Sequence, residues 1–452
     1  MTKSLKNLWA RFLFRDRGIL PTKRMLALFA FFSCAVVFLT LAGATPTSVI
    51  LVNAVFFGVS FADLFLSPKK NQFLFKRTMP ERMERGFVYS IQLSVSNDSS
   101  HACELRFLDG LPQSFETHFP MTAVVRKRTT AVVSYETKAP VRGKYVIEKL
   151  YVRYKGFLGL WEKQTTAELF NEVKVIPDLT ETKQYLADPQ RFLTEEGVSI
   201  RKRKKGEGEF SLVRTYVVGD DPRKINWRQT AKKHEIMMNE FEPEHGKQLT
   251  VMIDCGRMMG AELEKGNRLE KALEAAMTIS AAALKNGDAV SVLAFSKDIK
   301  RYVPPAKGVD HLQKILEAIY DLEVDEAESN YPAVLHYVQT HQKKRSLLLL
   351  FSDVSTFLHE ESGLLYLKRL RRRHLFVLVG IEDETLAAMT KLYPENVWKS
   401  MVKSIAQQQR QLIKKRKTNW QKQGLIMAEA KEEGLAAAAV SHYVHIMNQG
   451  LL

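Results

Sequence analysis

Two apolar runs dominate the hydrophobic pattern near the start of the chain. Residues 25–44 carry no charge, and residues 49–66 carry only Asp63. At a rise of about 1.5 Å per residue, such runs match a hydrocarbon core of roughly 30 Å. Thr45, Pro46, Thr47 and Ser48 break the pattern between them, so residues 25–66 are expected to form a transmembrane helical hairpin. A cleaved signal peptide fits less well, because a second span follows at once.

The period then changes to two. Tyr89, Ile91, Leu93 and Val95 alternate with polar neighbours and stop at the turn cluster Asn97, Asp98, Ser99 and Ser100. Residues 128–137 and 144–154 repeat the alternation, and 169–176 closes the set. Residues 70–177 are therefore expected to be a small all-β sandwich, read as a binding or spacer module. Residues 178–246 read as a connector. From Lys247 onward, strands and helices alternate: strands at 249–253, 289–295, 300–303, 346–351, 375–380 and 425–428, and helices at 268–284 and 311–320. The run of four leucines at 347–350 requires burial on both faces, as in a parallel sheet. Residues 247–452 are expected to be a doubly wound, mostly parallel α/β domain with sites at the carboxyl ends of its strands. Asp254 and Asp353 lie at such ends.

Charge refines the placement. The net charge is +17. Residues 1–24 carry seven Lys/Arg and one Asp, Lys69, Lys70, Lys76 and Arg77 follow the second run, and the loop between the runs has no charge. The positive-inside rule puts both ends, and the bulk of the chain, in the cytoplasm of a multi-pass plasma-membrane protein. Because much of the basic excess flanks the bilayer, no nucleic-acid partner is expected. The basic run RKRKK at 201–205 reads as a solvated loop. Residues 396–428 hold eight Lys/Arg and no acid, with Arg410, Lys414, Lys415 and Lys417 in one region. That helix reads equally as solvated or as a contact for anionic lipid or an acidic partner. Cys34, Cys103 and Cys255 have neither metal-ligand spacing nor a disulfide framework, which fits a reducing compartment.

One segment concentrates candidate chemistry: GDDPRKINW at 219–227. Asp221 followed by Pro222 reads as a helix N-cap with proline in the first turn. Arg223, Lys224 and Arg228 lie within reach of Asp220 and Asp221. Those cations would keep both carboxylates ionised, and adjacent turn residues seldom converge on one substrate atom, so an acid/base dyad is not expected. The chain has no GxxxxGK[ST], GxSxG or HExxH motif and no zinc spacing. It is not expected to be an enzyme.

The motifs PVRGKY at 140–145, GFLGLW at 156–161, VKVIPD at 173–178, EFSLVRTYVVGDDPRKINWRQTAKK at 209–233, DCGRMM at 254–259 and YVHIMNQGLL at 443–452 resemble the domain-of-unknown-function-58 (DUF58) family. The resemblance implies a membrane hairpin, a β-rich segment, a signature and a von Willebrand factor A-like domain. It also implies a MoxR-type AAA+ ATPase as partner, with the chain as a membrane-tethered adaptor. Gly219, Asp220, Asp221, Pro222, Arg223, Asn226 and Trp227 then form an interaction or structural signature, expected beside the strand-end face.

An A domain of the metal-binding kind uses DxSxS after its first strand. This chain keeps Asp254 but has Gly256 and Met258 in place of the serines, with Asp353 in the distal position and Ser329 in place of a threonine. A degenerate Mg²⁺ site at Asp254, Ser329 and Asp353 is one reading. The other has both aspartates capping helices or pairing with Arg257. An alternative function for the whole chain is metal-dependent adhesion or protein binding outside the cell.

Overall fold

A short strand that periodicity does not announce, β1 (Ile19–Pro21), precedes two long helices, α1 (Lys23–Leu41) and α2 (Pro46–Leu66). The computed structural model describes residues 18–43, 45–117, 120–156, 158–194, 209–242 and 246–452. The RKRKK run and most of the basic N-terminus lie outside the described residues. The Thr22 side chain caps α1 by accepting from the Met25 N–H, and Pro46 sits in the first turn of α2. α1 buries none of its side chains and α2 buries only Phe56, Ser60 and Asp63. Both helices are long and apolar enough to cross a membrane. Apolar helices left uncovered by protein fit a membrane hairpin.

Eight further strands follow: β2 (Phe73–Thr78), β3 (Arg82–Glu84), β4 (Val88–Asn97), β5 (Cys103–Asp109), β6 (Met121–Val125), β7 (Thr129–Lys138), β8 (Gly143–Lys155) and β9 (Trp161–Ile176). One sheet runs β1-β9-β8-β5-β6 with β3 on β9, and the other runs β2-β4-β7. Their inner faces share one core, with Ile91 and Leu93 from β4 against Leu105, Phe107, Val152 and Val173. That is the alternation of two read from the sequence, now with one face buried. β1 pairs antiparallel with β9, Pro21 opposite Trp161, so the sheet takes a strand from before the hairpin and the module is not confined to 70–177. Arg77 is also not a bilayer-flanking cation. It is buried, bonding Asp109 through Nε at 2.9 Å and the carbonyl oxygens of Ile147 and Leu169 at 3.1 and 3.0 Å.

The chain divides into two compact units, Met1–Ile176 and Pro177–Leu452. The second begins with α3 (Thr180–Ala187) and α4 (Pro189–Thr194), then a separate ribbon of β10 (Glu209–Thr215) and β11 (Met237–Glu242) enclosing α5 (Trp227–Lys233). The remainder comprises β12 (Gln248–Asp254), β13 (Glu262–Leu263), β14 (Gly266–Asn267), α6 (Arg268–Lys285), β15 (Ala289–Phe295), β16 (Ile299–Ala306), α7 (Val309–Ile319), α8 (Tyr331–His341), β17 (Ser346–Phe351), α9 (Val354–His359), α10 (Glu361–Leu370), β18 (Leu375–Ile381), α11 (Glu384–Lys391), α12 (Val397–Lys422), β19 (Ile426–Ala430) and α13 (Leu435–Gln449).

Its main sheet has the order β16-β15-β12-β17-β18-β19, with every neighbouring pair parallel except β15 and β16. All six residues of β17 are buried, as the leucine run requires. Alanine-rich α6 is buried nearly all round, between the sheet and helices α3, α7 and α13. The start of the expected connector is thus part of this body. Tyr185 of α3 is buried, and the Thr182 hydroxyl lies 3.0 Å from that of Thr278. Burial, then the nearby Glu274 carboxylate, pushes Glu181 on α3 up to about 7.

Candidate functional site

The signature closes the β10–β11 ribbon. From β10, Arg214 forks onto Asp220 through two bonds of 2.8 Å, and the Val217 N–H donates to the same carboxylate at 3.0 Å. The Arg214 bond, then the Val217 N–H, hold the Asp220 carboxyl below its ordinary range. The cation is therefore upstream of the motif, not Arg223, Lys224 or Arg228. Gly219 makes the tight turn possible, with φ at +107°. Asp221 caps as the sequence implies, accepting the Arg223 N–H at 3.0 Å, but the turn that follows is a three-residue 3-10 helix, Pro222–Lys224. Ile225 ends it by bridging to Met238 of β11. Asn226 is a second cap: it accepts the Gln229 N–H at 3.1 Å and donates to Asn239 at 2.7 Å, so α5 begins at Trp227. Asp220 and Asn226 are thus turned toward their own ribbon, while Asp221 and Arg223 are exposed. Trp227 stands 70% exposed and Val218 95% exposed.

At the carboxyl end of β12, Asp254 is buried and engaged on both oxygens. One accepts the Gly256 N–H at 2.8 Å and the Ser329 hydroxyl. The other accepts the hydroxyls of Tyr331 at 2.9 Å and Ser352 at 2.6 Å. A carboxylate has about four lone-pair sites, and here four donors face them. Burial, then the Asp254 charge, raise the Tyr331 hydroxyl far above its ordinary range. Asp353 caps α9, accepting the N–H and hydroxyl of Thr356 at 2.8 and 2.6 Å, while its other oxygen bonds Arg268. Arg257 pairs instead with Glu328 at 3.1 Å on the surface.

These residues do not fit a divalent ion. Asp254 has no oxygen turned away from protein donors, and Asp353 already holds a guanidinium. A Cβ added at Gly256 would overlap the Ser329 hydroxyl and lie 3.1 Å from the Ser329 nitrogen, so position 256 has no room for a serine ligand. Among the described residues, no group of three or more His, Cys, Asp or Glu side chains could hold a metal. Tyr331 and Ser352 adjoin residues singled out in the sequence and could have been found there as neighbours. Arg268 carries no local signal, because only the fold brings it to Asp353.

Beyond this floor lies a cleft of about 2000 Å³ at the strand ends, bounded by Arg268, Asp353, Glu382, Asp383, Arg410 and Lys414. Part of the basic helix therefore lines a cleft, and Lys417 pairs with Glu429 of β19 within it. On α12, Trp398, Met401, Ile405 and Leu412 are exposed.

A family model described as "Protein of unknown function DUF58" matches residues 212–423, from the ribbon to the end of α12. "Uncharacterized protein YeaD" of Bacillus subtilis (strain 168) is 24% identical over 203 residues, covering 44% of this chain and 48% of the relative. The chain thus spans about half the length of the curated relative it matches. Among solved structures, conserved hypothetical protein BatB from Bacteroides thetaiotaomicron aligns over 45% of this chain and 100% of its own, at 14% identity and a TM-score of 0.30. A PapD-like domain of human CEP192 covers 24% of this chain and 88% of its own, at 11% identity and a TM-score of 0.18. Over residues 212–423, just under half of its length, the chain is similar to the DUF58 family.

Proposed function

We propose that this chain is a membrane-anchored, cytoplasm-facing adaptor that works with a MoxR-type AAA+ ATPase and binds protein partners through its von Willebrand factor A-like domain. One observation carries the reading. The signature uses Arg214, Asp220, Asn226 and Asn239 to brace a ribbon while leaving Trp227 and Val218 in solvent. Exposed aromatic side chains on a braced support suit a binding hot spot, whereas chemistry needs converging polar groups. The apolar hairpin supplies the anchor. The cations of residues 1–24, against an uncharged loop, support the cytoplasmic orientation.

The test is capture of a MoxR-type AAA+ ATPase by the full chain in detergent, with and without ATP. Trp227→Ala and Val218→Asp are expected to weaken capture about tenfold or more without lowering the melting temperature. Capture unchanged by both substitutions would remove the ribbon as the interface. Thiol labelling of cysteines placed in the loop at 45–48 and on the second unit of intact cells tests orientation. A labelled second unit with a protected loop would reverse it.

A further inference from the structure

We infer that Arg268 is the resident cation of the strand-end site, so that this cleft works without a divalent metal. Arg268 is the first residue of α6, and its backbone N–H is anchored to the Ala261 carbonyl at 3.1 Å. Its guanidinium reaches Asp353 with both side chains nearly dry, 12% and 7% exposed. A buried ion pair is held because loss of either partner strands the other charge. The guanidinium thus does for Asp353 what a bound ion would do, neutralising a carboxylate at the end of the sheet. Its Nε is buried without a hydrogen-bond partner, so the contact with Asp353 supplies the polar fixation of the group.

The surroundings agree with an internal cation. Asp254, the other carboxylate, is satisfied by three hydroxyls and one N–H, which supply hydrogen bonds but no positive charge. Gly256 brings no oxygen, and the Ser329 hydroxyl occupies the space beside it. A divalent ion entering between Asp254 and Asp353 would meet a fixed positive charge at short range and find the oxygens of both carboxylates already engaged. Recognition at this strand end therefore does not use a metal held by Asp254 and Asp353 to bridge to a partner's carboxylate. This holds whatever partner the adaptor reading assigns.

The test uses the full chain in detergent, read by Mn²⁺ electron paramagnetic resonance and by thermal unfolding. The native chain is expected to leave the signal of free aqueous Mn²⁺ unchanged, and to melt at the same temperature in millimolar Mg²⁺ and in chelator. Arg268→Gln is expected to lower the melting temperature by about 10 °C, with Arg268→Lys regaining part of the loss. Stoichiometric Mn²⁺ bound by the native chain, or an Arg268→Gln variant as stable as native, would overturn the inference. Should Arg268→Gln not fold, the Mn²⁺ measurement on the native chain decides alone.

Discussion

The carboxylate of Asp63, in the last turns of α2, accepts the backbone N–H of Leu160 at 2.9 Å. It also accepts those of Leu158 at 2.8 Å and Trp161 at 3.3 Å. The one acid in the apolar run is thus the clasp between the second helix and the GFLGLW turn, with Thr22 bonding the Gly159 carbonyl at 2.7 Å from the other helix. The hairpin roots and the sandwich are thereby joined through backbone groups. Asp63→Ala leaves these three N–H groups without their acceptor, at about 1–3 kcal/mol for each that stays buried. We expect faster hydrogen exchange at 158–161 and a lower melting temperature, with Asp63→Asn intermediate. Exchange as slow as native in the alanine variant would show that the clasp is dispensable.

Arg77 and Asp109 form a second lock, inside the sandwich, to which the Tyr135 hydroxyl adds a 2.5 Å bond. Arg77→Met strands a buried carboxylate and is expected to cost about 3–5 kcal/mol in urea unfolding. Arg77→Met with Asp109→Leu should recover much of that loss. A double variant no more stable than Arg77→Met would refute this account of the pair.

Two groups give the second unit opposing responses to pH. Glu181 has a folded pKa pushed up to about 7 from 4.5 by burial and Glu274, so its contribution is full below pH 4.5 and is lost as pH rises through 7. Glu181→Gln is therefore expected to stabilise at pH 8, on the order of 2 kcal/mol, and to change nothing at pH 4. His374 is held at about 4 instead of 6.5, first by burial and then by Arg373, and its Nδ1 lies 2.9 Å from the Ser346 hydroxyl. Its contribution is full above pH 6.5 and is lost as pH falls through 4. Urea midpoints at pH 4, 6 and 8 for native and Glu181→Gln chains check both directions.

Position 256 tests the crowded strand end. Gly256→Ala drives a methyl group into Ser329, an overpacking expected to cost about 1–3 kcal/mol. Ser329→Ala beside it removes the clashing hydroxyl, and the pair should be more stable than Gly256→Ala alone. Equal stability of the glycine and alanine chains at 256 would mean that the loop yields freely.

Periodic signals were legible because they report on one element at a time. Strands at 289–295 and 346–351 could be read to the residue, since fully buried runs leave no ambiguity of face. The cap at Asp221 with Pro222 was readable because capping is settled within three residues. The helix expected after it was not. Pairing of Ile225 with Met238 stops the turn, and the sequence holds no record of which strand lies alongside. The three-residue strand β1 was missed for the same reason, as its partner β9 lies beyond the hairpin.

Arginine shows the division most plainly. By itself, the sequence determined the apolar hairpin, the change of period from two to alternating strands and helices, the capped signature and the two strand-end aspartates. Only tertiary structure decided which cation serves which carboxylate: Arg77 for Asp109, Arg214 for Asp220 and Arg268 for Asp353. Apolar pattern repeats along the chain because burial acts on every residue of a face. An ion pair depends on one distance, and that distance is set by how separate elements pack.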